Sequence, residues 1–256
     1  MNKINYNKEM WKIIEQCKDS KEEKRLLLHA CCAPCSSTCM ERVRNYFNTT
    51  VYFFNPNITN EEEYDKRADE LKRLIDIYNT NEYIEKMAKI GKSVIDGDTK
   101  AIPNTDSEAY AVNTEDGLLE CASRGRIELI VDKYNPSYFI QIAKGYEDCP
   151  ERGERCARCF ELRLKQSAKV ARDCGFDYFT TTLTLSPLKD EQLLNSIGYR
   201  VAEEIGGVKW LPSDFKKEGG YLRSIELSKE FNLYRQDYCG CVYSKNQRER
   251  ERAEMS

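Results

Sequence analysis

Apolar and polar positions follow two rhythms along this chain: short, fully apolar runs, and longer stretches with one apolar stripe. Leu26-Leu27-Leu28 reads as a buried strand ending at His29-Ala30-Cys31-Cys32. Pro34 punctuates, and Ser36 or Ser37 is placed to cap a helix reaching about residue 47. Val51-Tyr52-Phe53-Phe54 predicts a second strand, closed by the turn Asn55-Pro56-Asn57. Asn60, followed by Glu61, Glu62 and Glu63, opens a long charged helix whose apolar stripe is Tyr64, Ala68, Leu71, Leu74, Ile75 and Tyr78. From about residue 86 to 131 the periodicity lapses among scattered Gly, Asn, Asp and Thr, which predicts an irregular insertion.

Order returns with a short helix near 138–144 and a Pro-Gly loop over 148–155. A helix over 159–172 follows, with Phe160, Leu164, Ala168 and Ala171 on one side. The remaining pattern is a strand over 178–183, a helix over 190–204 interrupted at Gly198, a strand over 208–211 and a helix over 221–231. Strands alternating with helices predict an α/β fold, a mainly parallel, Rossmann-like sheet with helices on both faces. Ligands gather at the carboxyl ends of the strands in such a sheet, where Cys31-Cys32 and the 184–190 loop fall.

Composition narrows the function. The 256 residues are 40% hydrophobic and 32% charged, without an apolar run of about 18 residues, so no membrane span is expected. Met1 to Tyr6 lacks the apolar core of a signal peptide, and a cytoplasmic location is expected. The net charge of -3 gives no global attraction to nucleic acid, so any RNA contact must use a local basic patch. Twelve cysteines beside one histidine point to thiolate chemistry, metal binding or redox, rather than structural disulfides. No GxGxxG or Walker loop supports a bound nicotinamide or ATP.

The cysteines that stand in groups are Cys31-Cys32 with Cys35, Cys156-x-x-Cys159 and Cys239-Gly240-Cys241. Adjacent cysteines and C-x-x-C pairs let several thiolates converge on a small iron–sulfur cluster or a soft metal ion. At the start of a helix, Cys156 and Cys159 are expected to have lowered pKa values, with Arg155 and Arg158 adding positive charge. A closed zinc site on Cys31, Cys32, Cys156 and Cys159 fits the same residues but leaves Cys239 and Cys241 without a task. Those two, separated only by the flexible Gly240, would close a small strained ring on oxidation, the labile kind of disulfide. They would cycle between dithiol and disulfide, or lend a thiolate to a metal. Cys17, Cys121 and Cys174 read as isolated residues, Cys39 and His29 as packing, and Cys149 as a loop residue near the C-x-x-C.

Several motifs together resemble one family. They are Leu28-His29-Ala30-Cys31-Cys32-Ala33-Pro34-Cys35, then Asn55-Pro56-Asn57-Ile58 with Glu62-Glu63-Tyr64, then Gly153-Glu154-Arg155-Cys156-Ala157-Arg158-Cys159-Phe160 with Arg163-Leu164. Phe179-Thr180-Thr181-Thr182-Leu183 through Ser186-Pro187-Leu188-Lys189-Asp190 follows, and Tyr234 to Ser244 completes the set. Over about 25–86 and 132–246 the chain resembles the QueH family of epoxyqueuosine reductases. The resemblance implies reduction of the epoxide of epoxyqueuosine in tRNA to the alkene of queuosine, the last step of queuosine biosynthesis. It implies a 4Fe-4S cluster on Cys31, Cys32, Cys156 and Cys159, and a redox-active pair at Cys239 and Cys241. It further implies a second iron, for which Cys32, Cys35, Cys239 and Cys241 are candidate ligands, and an external electron donor.

On this reading residues 1–24 are an N-terminal extension, 25–246 a single catalytic domain with a family-atypical insertion at about 87–131, and 247–256 a charged tail. Lys189, Asp190 and Arg223 are expected to contact substrate. Residues 144–172, with eight basic and five acidic side chains, would favour RNA, as would Arg200, Lys209, Lys216, Lys217 and Arg235. Tyr221, Tyr238 or Tyr243 would stack on a splayed base. Two other classes fit parts of the pattern: a thiol–disulfide (heterodisulfide-type) reductase, and a zinc-stabilised RNA-binding protein without catalysis.

Overall fold

A computed structural model describes residues 3–18, 23–95 and 126–254. Five strands form one all-parallel sheet: β1 (Arg25–His29), β2 (Asn48–Phe53), β3 (Glu128–Val131), β4 (Tyr178–Thr181) and β5 (Lys209–Trp210). Their spatial order is β3-β2-β1-β4-β5, so the direction of winding reverses between β1 and β4. The expected parallel α/β fold is the one observed.

Alternation along the strands divides the core in two. Leu26, Leu28, Val51 and Phe53 face one layer, built by α1 (Tyr6–Lys18), α2 (Ala33–Val43), α3 (Glu61–Tyr78) and α4 (Asn81–Ile95). Leu27, Tyr52, Phe54, Phe179 and Trp210 face the other. There α6 (Glu154–Asp173) contributes Phe160, Leu164, Ala168 and Ala171, and α7 (Glu191–Ile205) contributes Leu194, Ile197 and Val201. Burial on both faces explains why β1 reads as an uninterrupted apolar run. The remaining helices are α5 (Ser137–Ala143), α8 (Gly220–Glu230) and α9 (Val242–Glu254). None of the described helices is long and apolar enough to cross a membrane.

The local differences from expectation have physical causes. Helix α2 starts at Ala33, with Pro34 in its first turn, where a missing N–H is harmless. Ser36 and Ser37 do not cap it; their hydroxyls donate back to the carbonyls of Cys32 and Pro34. Gly198 does not interrupt α7: a Cβ there would sit 2.3 Å from the Trp210 ring, so the glycine admits the indole. The strand expected over 178–183 ends at Thr181 and tightens into a 3-10 turn over Thr182–Leu185. The stretch expected to be irregular holds the second half of α4 and the edge strand β3, which pairs with β2. Residues 96–125, including Cys121, lie outside the described residues. The expected N-terminal extension contains α1, whose Met10 and Ile14 are buried in the core.

Candidate active site

The reversal of strand order leaves a crevice beyond the carboxyl ends of β1 and β4. Cys31 and Cys32 lie where β1 runs out. The Cys31 amide donates to Thr182 Oγ1 at 3.2 Å, and the Thr182 hydroxyl donates to the Cys31 sulfur at 3.4 Å, tying the cysteine to the end of β4. Cys32 is the N-cap residue of α2, and Cys35 follows in its first turn. The sulfurs of Cys31, Cys32 and Cys35 all lie within 4.8 Å of one another, with Cys31 and Cys32 3.7 Å apart. Two thiolates bound tetrahedrally to one ion at about 2.3 Å stand roughly 3.8 Å apart, so this trio has the spacing of ligands to a single metal.

Helix α6 delivers the second pair. Gly153 is its N-cap residue, Cys156 is half-buried in the first turn and Cys159 is buried one turn later. Arg152 holds a left-handed φ of 73°, and its amide donates to the Cys156 sulfur at 3.3 Å. The expected lowering of both pKa values is not found. Burial pushes the Cys156 thiol up, outweighing the Arg152 amide, and pushes Cys159 up to about 12 despite Arg163. Desolvation beats the helix dipole because Cys159 is buried and Cys156 half-buried, so little water is left to solvate a thiolate.

The third group arrives from the far end of the chain. Arg67, buried on α3 and paired with Glu63 at 2.6 Å, donates to the carbonyls of Cys239 and Tyr238 at 3.2 and 3.4 Å. Asn57 Nδ2 donates to the Cys239 carbonyl at 3.1 Å, and the Thr59 amide to that of Gly240 at 3.2 Å. The sulfurs of Cys239 and Cys241 share a hydrogen bond at 3.5 Å. That bond lowers the Cys239 thiol to about 5 and raises Cys241, so Cys239 ionises first. Among the first group, hydrogen bonds from Cys32 and Cys35 bring Cys31 well down while raising the other two.

All seven grouped cysteines line one cavity of about 200 Å³, although they come from three separate stretches of sequence. Arg67, Arg152, Arg155, Arg163, Lys189, Arg235 and Arg248 also line it, against Glu151 and Asp237 as the only carboxylates in the lining among the described residues. A chain of negative net charge therefore holds a positive interior site. Lys189 is half-buried there and makes no ion pair among the described residues. Burial disfavours its charge, but the thiols of Cys31, Cys35 and Cys239 raise its pKa on balance.

Of the other expected contacts, Asp190 caps α7, accepting from the amides of Gln192 and Leu193. Arg223 is absent from the cavity lining and makes a two-pronged contact to Glu41 at 3.0 and 2.9 Å. Arg200 pairs with Glu161, and Lys216 with Glu191. Tyr221 and Tyr238 line the cavity, whereas Tyr243 lies under the Arg155 guanidinium, 4.1 Å from the ring centroid. Cys39 is buried in the core, Cys17 contacts the Tyr178 hydroxyl, Cys174 is exposed, and Cys149 is half-buried outside the lining. His29 is packed and hydrogen-bonded at both ring nitrogens. Sequence reasoning assigned no role to Arg67, Asn57 or Arg163. For Arg67 the signal was its position three residues after Tyr64 on the apolar stripe of α3, and for Arg163 its position four residues after Cys159.

Comparison with known proteins agrees with the motifs. The family model described as epoxyqueuosine reductase QueH matches residues 26–93 and 103–247. Of the expected insertion at 87–131, only 94–102 falls outside those stretches. The chain is 38% identical over 244 residues to the epoxyqueuosine reductase QueH of Staphylococcus epidermidis, covering 94% of this chain and 85% of that one. It is 34% identical to the Streptococcus pyogenes protein of the same name over 94% of this chain and 78% of the relative. The Thermotoga maritima protein, also so named, is 32% identical over 90% of this chain and 95% of its own length. With the crevice, the grouped cysteines and these matches in agreement, the chain belongs to the epoxyqueuosine reductase QueH family of oxidoreductases.

Proposed function

We propose that this chain reduces the epoxide of epoxyqueuosine in tRNA to queuosine, acting in the cytoplasm. The observation that carries the reading is the convergence of seven cysteine thiols on one positively lined cavity at the switch point of a parallel sheet. A soft, all-thiol donor set suits iron and iron–sulfur clusters, and the surrounding cations suit the negative charge that such groups carry. On this reading Cys31, Cys32, Cys156 and Cys159 hold a 4Fe-4S cluster, and Cys35 is a ligand to a second iron. When bound, these groups supply one-electron transfer and a Lewis acid for the epoxide oxygen.

The chain's own residues account for the stoichiometry. Converting an epoxide to an alkene and water consumes two electrons and two protons. Closing Cys239 and Cys241 to a disulfide releases two electrons and two protons, and an external donor then restores the dithiol. Cys239 is the readier thiolate of the pair, and Arg67 and Asn57 hold its carbonyl in place. Lys189 presents an ammonium that makes no ion pair among the described residues, placed among the cysteines to hold the substrate near them. At the rim, exposed Arg152 and Arg235 suit the phosphates flanking the modified nucleotide, and Tyr221 offers a face for stacking.

The test is nucleoside analysis of epoxyqueuosine-containing tRNA after incubation with anaerobically purified protein and a strong reductant. Conversion to queuosine is expected, from protein that contains iron and sulfide. Persistence of epoxyqueuosine with the iron intact refutes the activity. Turnover of a small disulfide without RNA would favour the heterodisulfide-type reading, and stoichiometric zinc would refute the cluster. Cys156→Ala is expected to lose the cluster's iron and sulfide, whereas Cys241→Ala keeps them and loses turnover.

A further inference from the structure

Arg163, only 3% exposed, carries a guanidinium that meets no carboxylate among the described residues. The other buried arginines near the site differ. Arg67 is paired with Glu63 at 2.6 Å, and Arg155 donates from Nη1 to the backbone carbonyls of Tyr146 and Glu147. Arg163 lies on α6 one turn beyond Cys159 and lines the same cavity as that thiol. Its Nε donates to His29 Nε2 at 3.3 Å, and its Nη2 donates to Asn55 Oδ1.

Neither partner is an anion. His29 Nε2 also lies 3.1 Å from the Phe54 carbonyl, and its Nδ1 lies 2.7 Å from Thr181 Oγ1, so the ring that meets the guanidinium is itself held on both sides. Asn55 in turn donates from Nδ2 to the Ala30 carbonyl at 2.9 Å. The guanidinium is thus fastened to β1, to the turn after β2 and, through His29, to β4. Its orientation is set and its charge is left uncancelled.

An unpaired charge in a packed interior is strongly disfavoured unless an opposite charge faces it. The groups facing Arg163 across the cavity are the cysteines, Cys31, Cys156 and Cys159 among them. We propose that Arg163 is a positioning residue whose buried, uncancelled charge sets the electron affinity of the cysteine-held redox centre, an inference that rests on reading the cavity as a metal and dithiol site. Reduction adds one negative charge to that centre and breaks no bond. At an effective dielectric constant of about 20, a fixed positive charge within about 12 Å shifts such an equilibrium roughly tenfold or more. A guanidinium one helical turn from Cys159, lining the same cavity as the sulfurs, lies inside that range.

The experiment is a potentiometric titration of the anaerobic, iron-loaded protein, with wild type compared against Arg163→Gln and Asn55→Asp. The first variant removes the charge; the second keeps the guanidinium and sets a carboxylate beside it. Both are expected to weaken the reduced state about tenfold, a fall of about 59 mV in midpoint potential for one electron. Arg163→Lys, which keeps the charge, is expected to stay close to wild type. If Arg163→Gln fails to fold or to hold iron, Asn55→Asp decides alone. Wild-type potentials in both charge variants overturn the inference, as does a rise in KM for tRNA with the potential unmoved, which would assign the charge to substrate binding. Wild-type protein without iron fails the reading of the cavity and this inference together, whereas iron-loaded protein with unshifted variants fails this inference alone.

Discussion

Gly240 stands between the two cysteines of the proposed redox pair with a φ of 110°, and little room surrounds it. A Cβ there would lie 2.7 Å from Ile58 Cγ1, 3.3 Å from Arg67 Nη1 and 3.4 Å from the Ile58 Cα. Ile58 is fully buried and cannot yield freely. Gly240→Ala therefore incurs about 1–2 kcal/mol for a left-handed backbone and about 1–3 kcal/mol for overpacking. Against this strain stand the bonds that pin the loop, from Thr59, Asn57 and Arg67. Neutral hydrogen bonds contribute about 1 kcal/mol net, and those to a charged group about 1.5–3 kcal/mol. The two sums are of similar size, so the loop is expected to shift rather than the whole fold to open, and the shift moves both sulfurs. Turnover on epoxyqueuosine tRNA should fall at least about tenfold with iron content retained, and Tm by at least about 4 °C, each kcal/mol being worth about 2–4 °C at this size. Gly145→Ala is the control: its φ is 83° but nothing lies within 4 Å of the new Cβ, so it keeps turnover. Full turnover and an unchanged Tm in Gly240→Ala would refute the reasoning.

Gly198→Ala, favourable by about 1 kcal/mol for an isolated helix, is expected to destabilise the protein by about 2 kcal/mol or more. The Trp210 ring occupies the space and is held by its Nε1 bond to Asn195 at 3.0 Å; a denaturant midpoint equal to wild type would show otherwise. Burial alone would raise the Glu191 carboxyl, but hydrogen bonds from Lys216, the backbone and Lys3 bring it down to about 2. The unfolded chain then takes up the proton first as pH falls below 4.5, so Glu191 stabilises the fold above that pH and the contribution is lost toward pH 2. With solvent screening this is worth about 1–2 kcal/mol, and the stability gap between wild type and Glu191→Gln should narrow over that window; a gap independent of pH would count against it. If Arg152 and Arg235 each contact one phosphate, the double variant Arg152→Gln, Arg235→Gln should lower the slope of log affinity against log salt by about 1.4, and an unaltered slope would remove both from the interface.

The elements easiest to read from sequence were those whose burial is symmetric and local. Leu26 to Leu28 are buried on both faces of the sheet, so their pattern is a plain apolar run; Asn60 capped α3 as its position suggested, accepting from the Glu63 amide at 2.8 Å. The edge strand β3 carries a short apolar run, Leu129-Ile130-Val131, at the end of the stretch read as irregular, and it owes its conformation to pairing with β2. Gly198 looked like a break because helix propensity carries no information about an indole arriving from β5. The helix dipole suggested acidic thiols at Cys156 and Cys159, but burial, a tertiary property, outweighed it.

By itself the sequence determined the chemistry available to this protein: many thiols, one histidine, and cysteines spaced so that neighbours share a corner of backbone. Order along the chain also determined the parallel sheet, because alternating strands and helices leave few ways to bury both faces. Only the tertiary structure decided that Cys31, Cys156 and Cys239, more than 80 residues apart along the chain, face one cavity. It alone decided that Arg67 holds the last cysteine loop, that Arg223 is occupied by Glu41, and that Arg163 remains uncancelled beside the sulfurs. The reason is that a side chain's charge is written in the sequence, whereas its electrostatic effect depends on what packing brings within a few ångströms and how much water packing removes.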